Sequence, residues 1–415
     1  MQNSTHPYLT RSLEPVLTRA VQEFPAVVLT GPRQSGKTTL LQHLFGREFR
    51  YVSLEAPDVR AAALEDPRGF LAFYPPPVIF DEAQWAPELF PYIKEAIDAA
   101  RGRAGQYVLS GSQNLLLLQR VTESLAGRVA ILQLLPLSFR EVRGVPQSPF
   151  PWERGDADVS AAEAASAGPT SRALWEAFLR GGYPEIALDT GRDARLWHAG
   201  YVQTYLERDV RSLRQVGDLG RFQSFLQALA ARNAQLLNLS EVARDLGLAV
   251  NTVKAWLSVL EATYQVIVLR PYFATVGKRL VKTPKVYFAD LGTLSYLTGL
   301  RDPEHAMSGP MGGAMMETAV IIEVVRSLTN RGEEPRAYFW RTTAGNEVDL
   351  VVDTGSGLIP LEVKLSATPT PAMTSGISAF RSALGSRAAR GYVVHPGTQH
   401  LPLGPDADAL PFGAL

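Results

Sequence analysis

The chain contains a glycine-rich octapeptide whose residue types suit the binding of phosphate groups. It matches the pattern G-x-x-x-x-G-K-[ST] and consists of Gly31, Pro32, Arg33, Gln34, Ser35, Gly36, Lys37 and Thr38. The glycines let backbone amides point at phosphate oxygens, and the N-terminus of a following helix adds to that attraction. Lys37 can neutralise the β- and γ-phosphates, while Thr38 can offer a hydroxyl to Mg²⁺. We therefore predict that these residues, together with Thr39, bind ATP and Mg²⁺, and a plain glycine turn around a lysine stem is the alternative.

An acidic pair follows a short apolar run further along the chain. Residues 78–80 indicate a strand that ends at Asp81 and Glu82. Such a strand can deliver Asp81 to the metal ion, and Glu82 can then act as the general base that polarises a water molecule. An acidic helix N-cap after a strand is the alternative for the pair on its own. Combined with the glycine-rich loop, the two acids predict hydrolysis of ATP by water.

A second set of acids lies near the C-terminus, on two predicted strands. Asp349 belongs to the first strand, and Glu362 and Lys364 belong to the second, where residues two apart share a face. Asp349 and Glu362 can together bind a second Mg²⁺, and Lys364 can orient or activate the attacking water, as metal-assisted cleavage of a phosphodiester requires. Glu317, on an upstream helix, is a further candidate ligand. The alternative is a set of charged side chains that pair on a sheet edge.

The elements that must position these residues alternate between strand and helix. Apolar runs predict strands at residues 26–30, 51–54, 78–80, 107–109 and 129–134. Helical segments lie between them, and this alternation is typical of an α/β fold with a parallel sheet and helices on both faces. The glycine-rich loop then lies between the first strand and a helix.

With the loop and the acidic pair in this context, about residues 1–210 resemble the AAA+ superfamily of ATPases. The resemblance implies a polar sensor of the γ-phosphate at the end of the fourth strand, where Ser112 is a slightly better candidate than Ser110. It also implies an arginine finger at Arg128, which would stabilise charge on the ATP of a neighbouring subunit. A serine–glycine turn and an arginine that caps a helix C-terminus are the respective alternatives.

A glycine-containing turn follows in the helical region after the predicted sheet. The residues Gly181, Gly182, Tyr183 and Pro184 resemble the motif by which the helical lid of some AAA+ relatives contacts adenine. The resemblance implies that Gly182 and Pro184 help to bind the nucleotide. A turn between two helices explains the same residues.

Residues 236–272 indicate two short helices and an apolar hairpin, which resembles a winged helix-turn-helix. The second helix is then the element that recognises DNA, and Lys254 is its one basic residue. A basic edge can be added by the residues that follow, which are Lys278, Arg279, Lys282 and Lys285. Since phosphate contacts usually need several cations, an architectural or protein-binding module and a solvated lysine run are the alternatives.

The acids near the C-terminus resemble the PD-(D/E)xK nuclease fold over about residues 312–400, although no proline precedes Asp349. The whole chain resembles a bacterial and archaeal group of AAA+ ATPases that carry a winged helix and a nuclease-like domain. The implied organisation is an α/β P-loop ATPase core (1–143), a flexible insertion (144–171), a helical lid (172–231), a winged helix-turn-helix (232–285) and an α/β nuclease-like domain (286–415). A domain that has lost cleavage and is kept for binding is the alternative.

Composition limits the classes of protein that the chain can represent. The 41 basic and 41 acidic residues cancel, which argues against a histone-like protein that coats nucleic acid, although a local basic surface remains compatible. With no cysteine, the chain forms no disulfides and no thiolate metal sites. The N-terminus lacks an apolar signal core and no uninterrupted apolar run of about 18 residues exists, so we expect a cytoplasmic protein without a membrane span.

Together these features predict an ATP-hydrolysing homo-oligomer that binds and remodels or processes DNA. A nucleotide-dependent switch that binds a protein partner, with an inactive nuclease-like domain, is the alternative from a different class. A simple metabolic kinase fits less well, because Asp81 and Glu82 suit phosphoryl transfer to water.

Overall fold

A computed structural model describes residues 8–112, 121, 123–154, 171–205, 218–272 and 282–415. The strands are β1 Ala26–Thr30, β2 Arg50–Ser53, β3 Val78–Asp81, β4 Tyr107–Ser110, β5 Val129–Gln133, β6 Gln235–Leu236, β7 Val266–Pro271, β8 Lys285–Phe288, β9 Ala337–Arg341, β10 Glu347–Asp353, β11 Leu358–Val363, β12 Gly391–His395, β13 Leu401–Pro402 and β14 Ala407–Pro411. The helices are α1 Glu14–Glu23, α2 Lys37–Phe45, α3 Pro57–Glu65, α4 Pro67–Phe73, α5 Leu89–Ala99, α6 Phe139–Val142, α7 Ser171–Arg180, α8 Pro184–Ala187, α9 Ala194–Tyr205, α10 Leu219–Ala230, α11 Leu239–Leu246, α12 Val250–Ala262, α13 Leu291–Thr298, α14 Pro303–Ser308, α15 Gly312–Asn330 and α16 Ser375–Leu384. No helix among the described residues combines the length and the apolar character that a membrane crossing requires.

The first sheet contains five parallel strands in the order β2-β3-β4-β1-β5. The strands β1, β3 and β4 are buried along their whole length, which explains why each is a continuous apolar run rather than an alternating one. Ala26 of β1 pairs with Tyr107 on one side and with Val129 on the other. The parallel α/β sheet expected from the sequence is therefore confirmed, and the carboxyl ends of its strands lie at one edge.

A second sheet of nine strands forms from the middle and C-terminal parts of the chain, in the order β13-β14-β12-β11-β10-β9-β7-β8-β6. The strand β7 pairs with β8 in antiparallel register and with β9 in parallel register, where Arg270 lies opposite Tyr338. This parallel pairing joins the two parts into one sheet. The strands β10 and β11, which carry most of the predicted C-terminal acids, are antiparallel neighbours.

The middle part of the chain follows the element order α10, β6, α11, α12, β7, β8. Asn238 caps the N-terminus of α11 with its side chain, and Gly247 ends that helix in the left-handed conformation with a φ of +63°. Trp256 of α12 packs against Phe222 and Phe225 of α10. Both helices expected from the sequence in this part are thus present.

Helix α15 connects the C-terminal part to the first sheet. It is buried over almost its whole length. Glu323, Arg326 and Asn330, on its last turns, bind backbone groups of residues 135–139 at distances of 2.7 to 2.9 Å. Because buried backbone groups require partners, the helix and the end of the first sheet depend on each other.

The predicted flexible insertion begins with a packed segment. Phe150 is fully buried, and its ring stacks on Trp152 with centroids 4.5 Å apart. The guanidinium of Arg140 lies 3.8 Å from the centre of the same ring. The part up to residue 154 is therefore packed through an aromatic pair, and its flexibility stays a prediction. Residues 155–170 of that prediction lie outside the described residues.

Candidate nucleotide-binding site

The glycine-rich loop connects β1 to α2 in a conformation that its glycines make possible. Gly31 and Gly36 have φ angles of +146° and +94°, and a Cβ on Gly31 would lie 2.1 Å from the carbonyl oxygen of Leu134. The Nζ of Lys37 donates to the carbonyl oxygens of Gly31 and Pro32 at 3.0 and 2.8 Å. The lysine that opens α2 thus has its ammonium group inside the loop, at the carboxyl edge of the sheet.

The remaining residues of the predicted loop differ in exposure. Gln34 and Thr39 are exposed, while Arg33 is half-buried. Ser35 is fully buried, and its Oγ has no hydrogen-bond partner within the described part of the chain. Buried polar atoms usually have partners, so this hydroxyl retains the capacity to bind a ligand.

Asp81 ends β3, and its carboxylate gathers hydroxyl donors from neighbouring elements. Its Oδ2 accepts from Thr38 Oγ1 at 2.8 Å and from the Tyr51 hydroxyl at 2.6 Å, and its Oδ1 accepts from Ser110 Oγ. Burial, and then the hydrogen bond to Asp81, raises the pKa of Tyr51. The structure therefore brings the predicted metal ligands Thr38 and Asp81 together. The sequence gives no sign of the contact made by Tyr51, because a tyrosine on a strand ordinarily indicates only β-propensity.

Glu82 follows in the left-handed conformation, with a φ of +55°, at a cost of about 1 to 3 kcal/mol for a residue with a side chain. Its Oε2 accepts from Ser112 Oγ at 3.2 Å and from Gln84 Nε2. The main chain and two side-chain donors thus fix the direction of this carboxylate. The two candidate sensors of the γ-phosphate have different partners: Ser112 contacts Glu82, and Ser110 contacts Asp81.

The side chains at the carboxyl ends of the first sheet's strands are of the types that bind ATP with Mg²⁺. Thr38 and Asp81 offer a hydroxyl and a carboxylate, which are the hard ligands that Mg²⁺ prefers. Lys37 and the loop amides supply positive charge for phosphate groups. Glu82 lies next to Asp81 with a carboxylate that can accept a proton from water.

Two largely buried side chains from other parts of the chain hold the ends of the loop. Arg11 donates from Nη1 to the carbonyl oxygen of Ser35 at 2.9 Å and pairs through Nε with Glu141 at 3.0 Å. The hydroxyl oxygens of Tyr264 and Thr30, which precedes the loop, lie 3.0 Å apart, and burial raises the pKa of Tyr264 to about 12. No local pattern in the sequence indicates either contact, because the partners are distant along the chain.

The predicted lid turn lies beside the loop. A Cβ on Gly36 would lie 3.7 Å from Cγ of Pro184. The C-terminal part fixes the turn, because the amide of Gly182 donates to Asp290 at 2.7 Å and a Cβ on Gly182 would lie 2.1 Å from Nη1 of Arg326. Contact of Gly182 and Pro184 with adenine stays a prediction.

Arg128 lies at the opposite edge of the sheet from the loop. It directly precedes β5, whose first residue pairs with the first residue of β1. Its guanidinium binds Asp98, through Nε at 2.7 Å and through Nη2 at 3.0 Å. A strand of five residues spans about 16 Å, so Arg128 is remote from the loop of its own chain. A role as an arginine finger requires a second subunit and stays a prediction.

The predicted C-terminal acids come together around a lysine. We define the acidic cluster as Glu317, Glu347, Asp349 and Glu362. Lys285 of β8 is 4% exposed, and its Nζ lies 2.8 Å from Glu317 and 2.6 Å from Glu347. The same Nζ lies 3.8 Å from Asp349. Glu362 instead accepts from Lys364 Nζ at 2.6 Å.

Burial dominates the electrostatics of the acidic cluster. It raises the pKa of Glu317 to about 7 and that of Glu362 to about 8, and the charge of Asp349 adds to both shifts. Burial also raises the pKa of Asp349, although Lys285 acts in the opposite direction. For Lys285 burial disfavours the charge, yet the surrounding carboxylates outweigh that effect and raise its pKa. The chain itself therefore supplies the positive charge of the cluster.

Asp349 and Glu362, which are predicted to hold a second Mg²⁺, already have partners within the chain. Asp349 Oδ2 accepts from the amide of Val363 at 2.8 Å, and Glu362 pairs with Lys364. In the part of the chain that the structure describes, no group of three or more His, Asp or Glu side chains is arranged to hold a metal ion. A second Mg²⁺ at Asp349 and Glu362 stays a prediction, and the pairing of Glu362 with Lys364 is an observation against it.

The structure places only some residues of the predicted basic edge on the surface. Lys285 is buried in the acidic cluster, so it does not contribute to a DNA-binding surface. Lys282 is exposed, whereas Lys278 and Arg279 lie outside the described residues. Lys254 lies on the exposed face of α12.

Three segments of the chain match known family models. Residues 23–143 match an AAA domain, residues 171–304 match a domain of unknown function (DUF8612), and residues 312–415 match another domain of unknown function (DUF4143). The AAA match includes the whole glycine-rich loop, Asp81 and Glu82. The first domain is therefore an AAA-type P-loop domain.

Two solved structures show a weaker similarity to this chain. The Walker-type ATPase of Pyrococcus abyssi is 16% identical, with a TM-score of 0.46, and the match covers 71% of this chain and 99% of that one. The RuvB Holliday junction branch migration motor of Thermotoga maritima is 17% identical, with a TM-score of 0.27, and the match covers 62% of this chain and 88% of that one.

Similarity to two mycobacterial proteins extends over nearly the whole chain. Proteins described as uncharacterized, one from Mycobacterium tuberculosis and one from Mycobacterium bovis, are each 32% identical over 398 residues. These residues are 95% of this chain and 82% of each relative. In this chain an AAA domain precedes two domains of unknown function. The chain belongs to the family of these two mycobacterial proteins.

Proposed function

We propose that this protein is an ATPase that binds ATP with Mg²⁺ at residues 31–39 and hydrolyses it with Glu82 as the general base. The observation that carries the proposal is the meeting of Thr38, Asp81 and Glu82 at the carboxyl edge of the sheet, directly beside the glycine-rich loop. The match of the same segment to an AAA domain supports it.

The contacts of each residue support its role. Lys37 and the loop amides hold the phosphates, and Thr38 and Asp81 hold Mg²⁺, which when bound withdraws negative charge from the phosphate oxygens. Glu82 takes a proton from the attacking water, and its two side-chain donors, one of them Ser112, keep its carboxylate in place. Because the strained backbone of Glu82 also fixes its direction, little reorganisation is needed when water binds.

Hydrolysis assays separate the base from the binding residues. Lys37→Ala should lose binding of a fluorescent ATP analogue, because the phosphates lose their ammonium partner. Glu82→Gln should keep that binding but lower kcat by about 10²-fold or more. Glu88→Gln, an exposed neighbour, is the matched control and should behave as wild type. Turnover of Glu82→Gln at the wild-type rate would refute the assignment of the base.

The contacts of the loop with distant segments support a further role as a nucleotide-dependent switch. Arg11, Tyr264 and Pro184 connect the loop to the rest of the chain, and Gly182 is bonded to the C-terminal part. Binding of ATP would then alter the surface that the C-terminal part offers to a partner. Hydrogen exchange with and without ATP, in wild type and in Lys37→Ala, tests this: only wild type should change in residues 219–272 and 282–330.

DNA is one candidate partner of the switch. The order α10, β6, α11, α12, β7, β8 is similar to that of a winged helix, in which α12 would face DNA. The order α15, β9, β10, β11, α16, β12 is similar to that of a nuclease-like fold. These similarities support DNA binding, without cleavage, as part of the proposal.

The charge on α11 and α12 supports a protein partner instead. Arg232 binds Asp245, and Arg244 lies 3.8 Å from the same carboxylate, so this one acid offsets half of their combined charge. A mobility shift at low salt and the ATPase rate with duplex DNA separate the candidates. A shift that Lys254→Gln weakens supports DNA, whereas no shift at low salt leaves the protein partner. Loss of ATPase activity in Arg128→Ala, together with assembly seen by light scattering, would support a homo-oligomer in which that arginine acts on a neighbour.

A further inference from the structure

We infer that Lys285 is the permanent counter-cation of Glu317, Glu347 and Asp349 in the acidic cluster and stands where a divalent metal ion on these carboxylates would have to bind. The cluster then joins the middle part of the chain to the C-terminal domain and does not cleave phosphodiesters. This inference is independent of the proposed ATPase, which uses the first sheet.

The ammonium of Lys285 and a divalent ion exclude each other. Its Nζ lies within 2.8 Å of carboxylate oxygens of Glu317 and Glu347 and 3.8 Å from Asp349. A metal ion on the same carboxylates would lie about 2.0 to 2.6 Å from their oxygens, and hence within a few ångströms of Nζ. Two cations this close repel strongly in a buried site, because little water screens them.

Other donors occupy the cluster as well. The Tyr287 hydroxyl donates to Glu317 at 2.6 Å, and Arg341 Nη1 lies 3.2 Å from Glu347. Oε2 of Glu362 and Oε1 of Glu347 are buried without a hydrogen-bond partner in the described chain, but Oε1 of Glu347 lies 2.6 Å from Lys285 Nζ. One remaining oxygen does not make a metal site. Each carboxylate of the cluster thus has at least one partner among the protein's own groups.

The origin of Lys285 explains what the cluster does. Lys285 belongs to β8, which pairs with β6 and β7 of the middle part, whereas the three carboxylates near its Nζ come from α15 and β10. The ion pairs therefore connect two parts of the chain. A buried charge without a partner is costly, whether it is the ammonium of Lys285 or one of the carboxylates. The carboxylates therefore favour the native position of β8, which places Lys285 among them.

Metal binding by full-length protein without nucleotide tests the exclusion. Wild type and Glu362→Gln are titrated with Mn²⁺, and free Mn²⁺ is followed by electron paramagnetic resonance. We expect the same amount bound in both, because the cluster of the wild type takes none and the glycine-rich loop is unchanged. Mn²⁺ bound by wild type and lost in Glu362→Gln, or plasmid cleavage in Mn²⁺ that Glu362→Gln abolishes, would overturn the inference.

A variant without the ammonium group of Lys285 provides a second test, because its carboxylates should then accept a metal ion. Lys285→Met keeps a similar length without charge, and Lys282→Met, at an exposed position three residues earlier, is the matched control. We expect Lys285→Met to unfold at lower urea concentration than the control and to regain stability when Mn²⁺ is added. Equal stability of the two variants, or folded Lys285→Met without a Mn²⁺ effect, would overturn the inference. If Lys285→Met does not fold, that is the loss expected of an unbalanced cluster, and the comparison of wild type with Glu362→Gln decides whether metal is excluded.

Discussion

Replacement of Arg11 by methionine tests whether the glycine-rich loop is held from outside its own motif. Arg11 is 4% exposed and donates to the carbonyl oxygens of Ser35 and Leu135 at 2.9 and 2.7 Å, besides its ion pair with Glu141. Methionine keeps an unbranched apolar stem but removes the charge and all donors. The substitution therefore leaves Glu141 and two carbonyl groups without this partner.

The size of the effect follows from burial. Removal of one partner of a buried ion pair usually costs about 3 to 5 kcal/mol. Glu141 retains three N–H donors after the substitution, so we expect the lower end of that range, about 3 kcal/mol. The exposed pair of Arg68 and Glu95 has the same chemistry, with side chains that are 68% and 58% exposed. Arg68→Met, the matched control, should cost about 1 kcal/mol or less.

Two measurements check this prediction. Urea denaturation followed by tryptophan fluorescence compares the free energies of unfolding, and titration with a fluorescent ATP analogue reports on the loop. We expect Arg11→Met to lose stability and to bind the analogue more weakly, because the carbonyl group of Ser35 loses the donor that fixes it. Equal small losses in Arg11→Met and Arg68→Met, or unchanged binding by Arg11→Met, would show that Arg11 does not hold the loop.

Three further substitutions test other contacts. Gly182→Ala places a Cβ 2.1 Å from Nη1 of Arg326 and should lower the free energy of unfolding by about 1 to 3 kcal/mol, whereas Gly200→Ala, on a helix with open space, should not lower it. Tyr264→Phe removes a hydroxyl that contacts the strand before the loop and should cost about 1 kcal/mol in urea denaturation; no loss would mean that this contact is unimportant. Because burial raises the pKa of Glu362 from 4.5 to about 8, the folded state binds its proton more tightly than the unfolded chain does. The stability from this group is then complete below pH 4.5 and is lost as the pH rises toward 8, so Glu362→Gln should flatten that fall in a series of urea denaturations; an unchanged slope would contradict the shift.

The nucleotide site can be predicted from the sequence because its determinants are local. Gly31 and Lys37 belong to one strand–loop–helix unit, and Asp81 ends a buried strand of the same parallel sheet, so topology alone brings them to one edge. Arg11 and Ser35 are 24 positions apart, and neither has a pattern that indicates the other.

Lys285 shows the limit of reasoning from neighbours in sequence. It follows other basic residues and therefore suggests a solvated edge. Its partners in space are Glu317, on α15, and Glu347, on β10, which only tertiary packing brings to it. The C-terminal acids were thus predictable as a group, whereas the cation at their centre was not.

The bonds between α15 and the end of the first sheet have a consequence for translation. The amide of Leu135 binds the side chain of Asn330, which is 195 residues later in the chain. At about 5 to 20 residues per second, a ribosome adds that helix roughly 10 to 40 seconds after the segment that it covers. During this interval the backbone groups of residues 135–139 lack these native partners. The AAA domain is therefore synthesised first but completes its native contacts only after α15 has been added. We expect that a chaperone that shields residues 135–139 would raise the yield of folded protein.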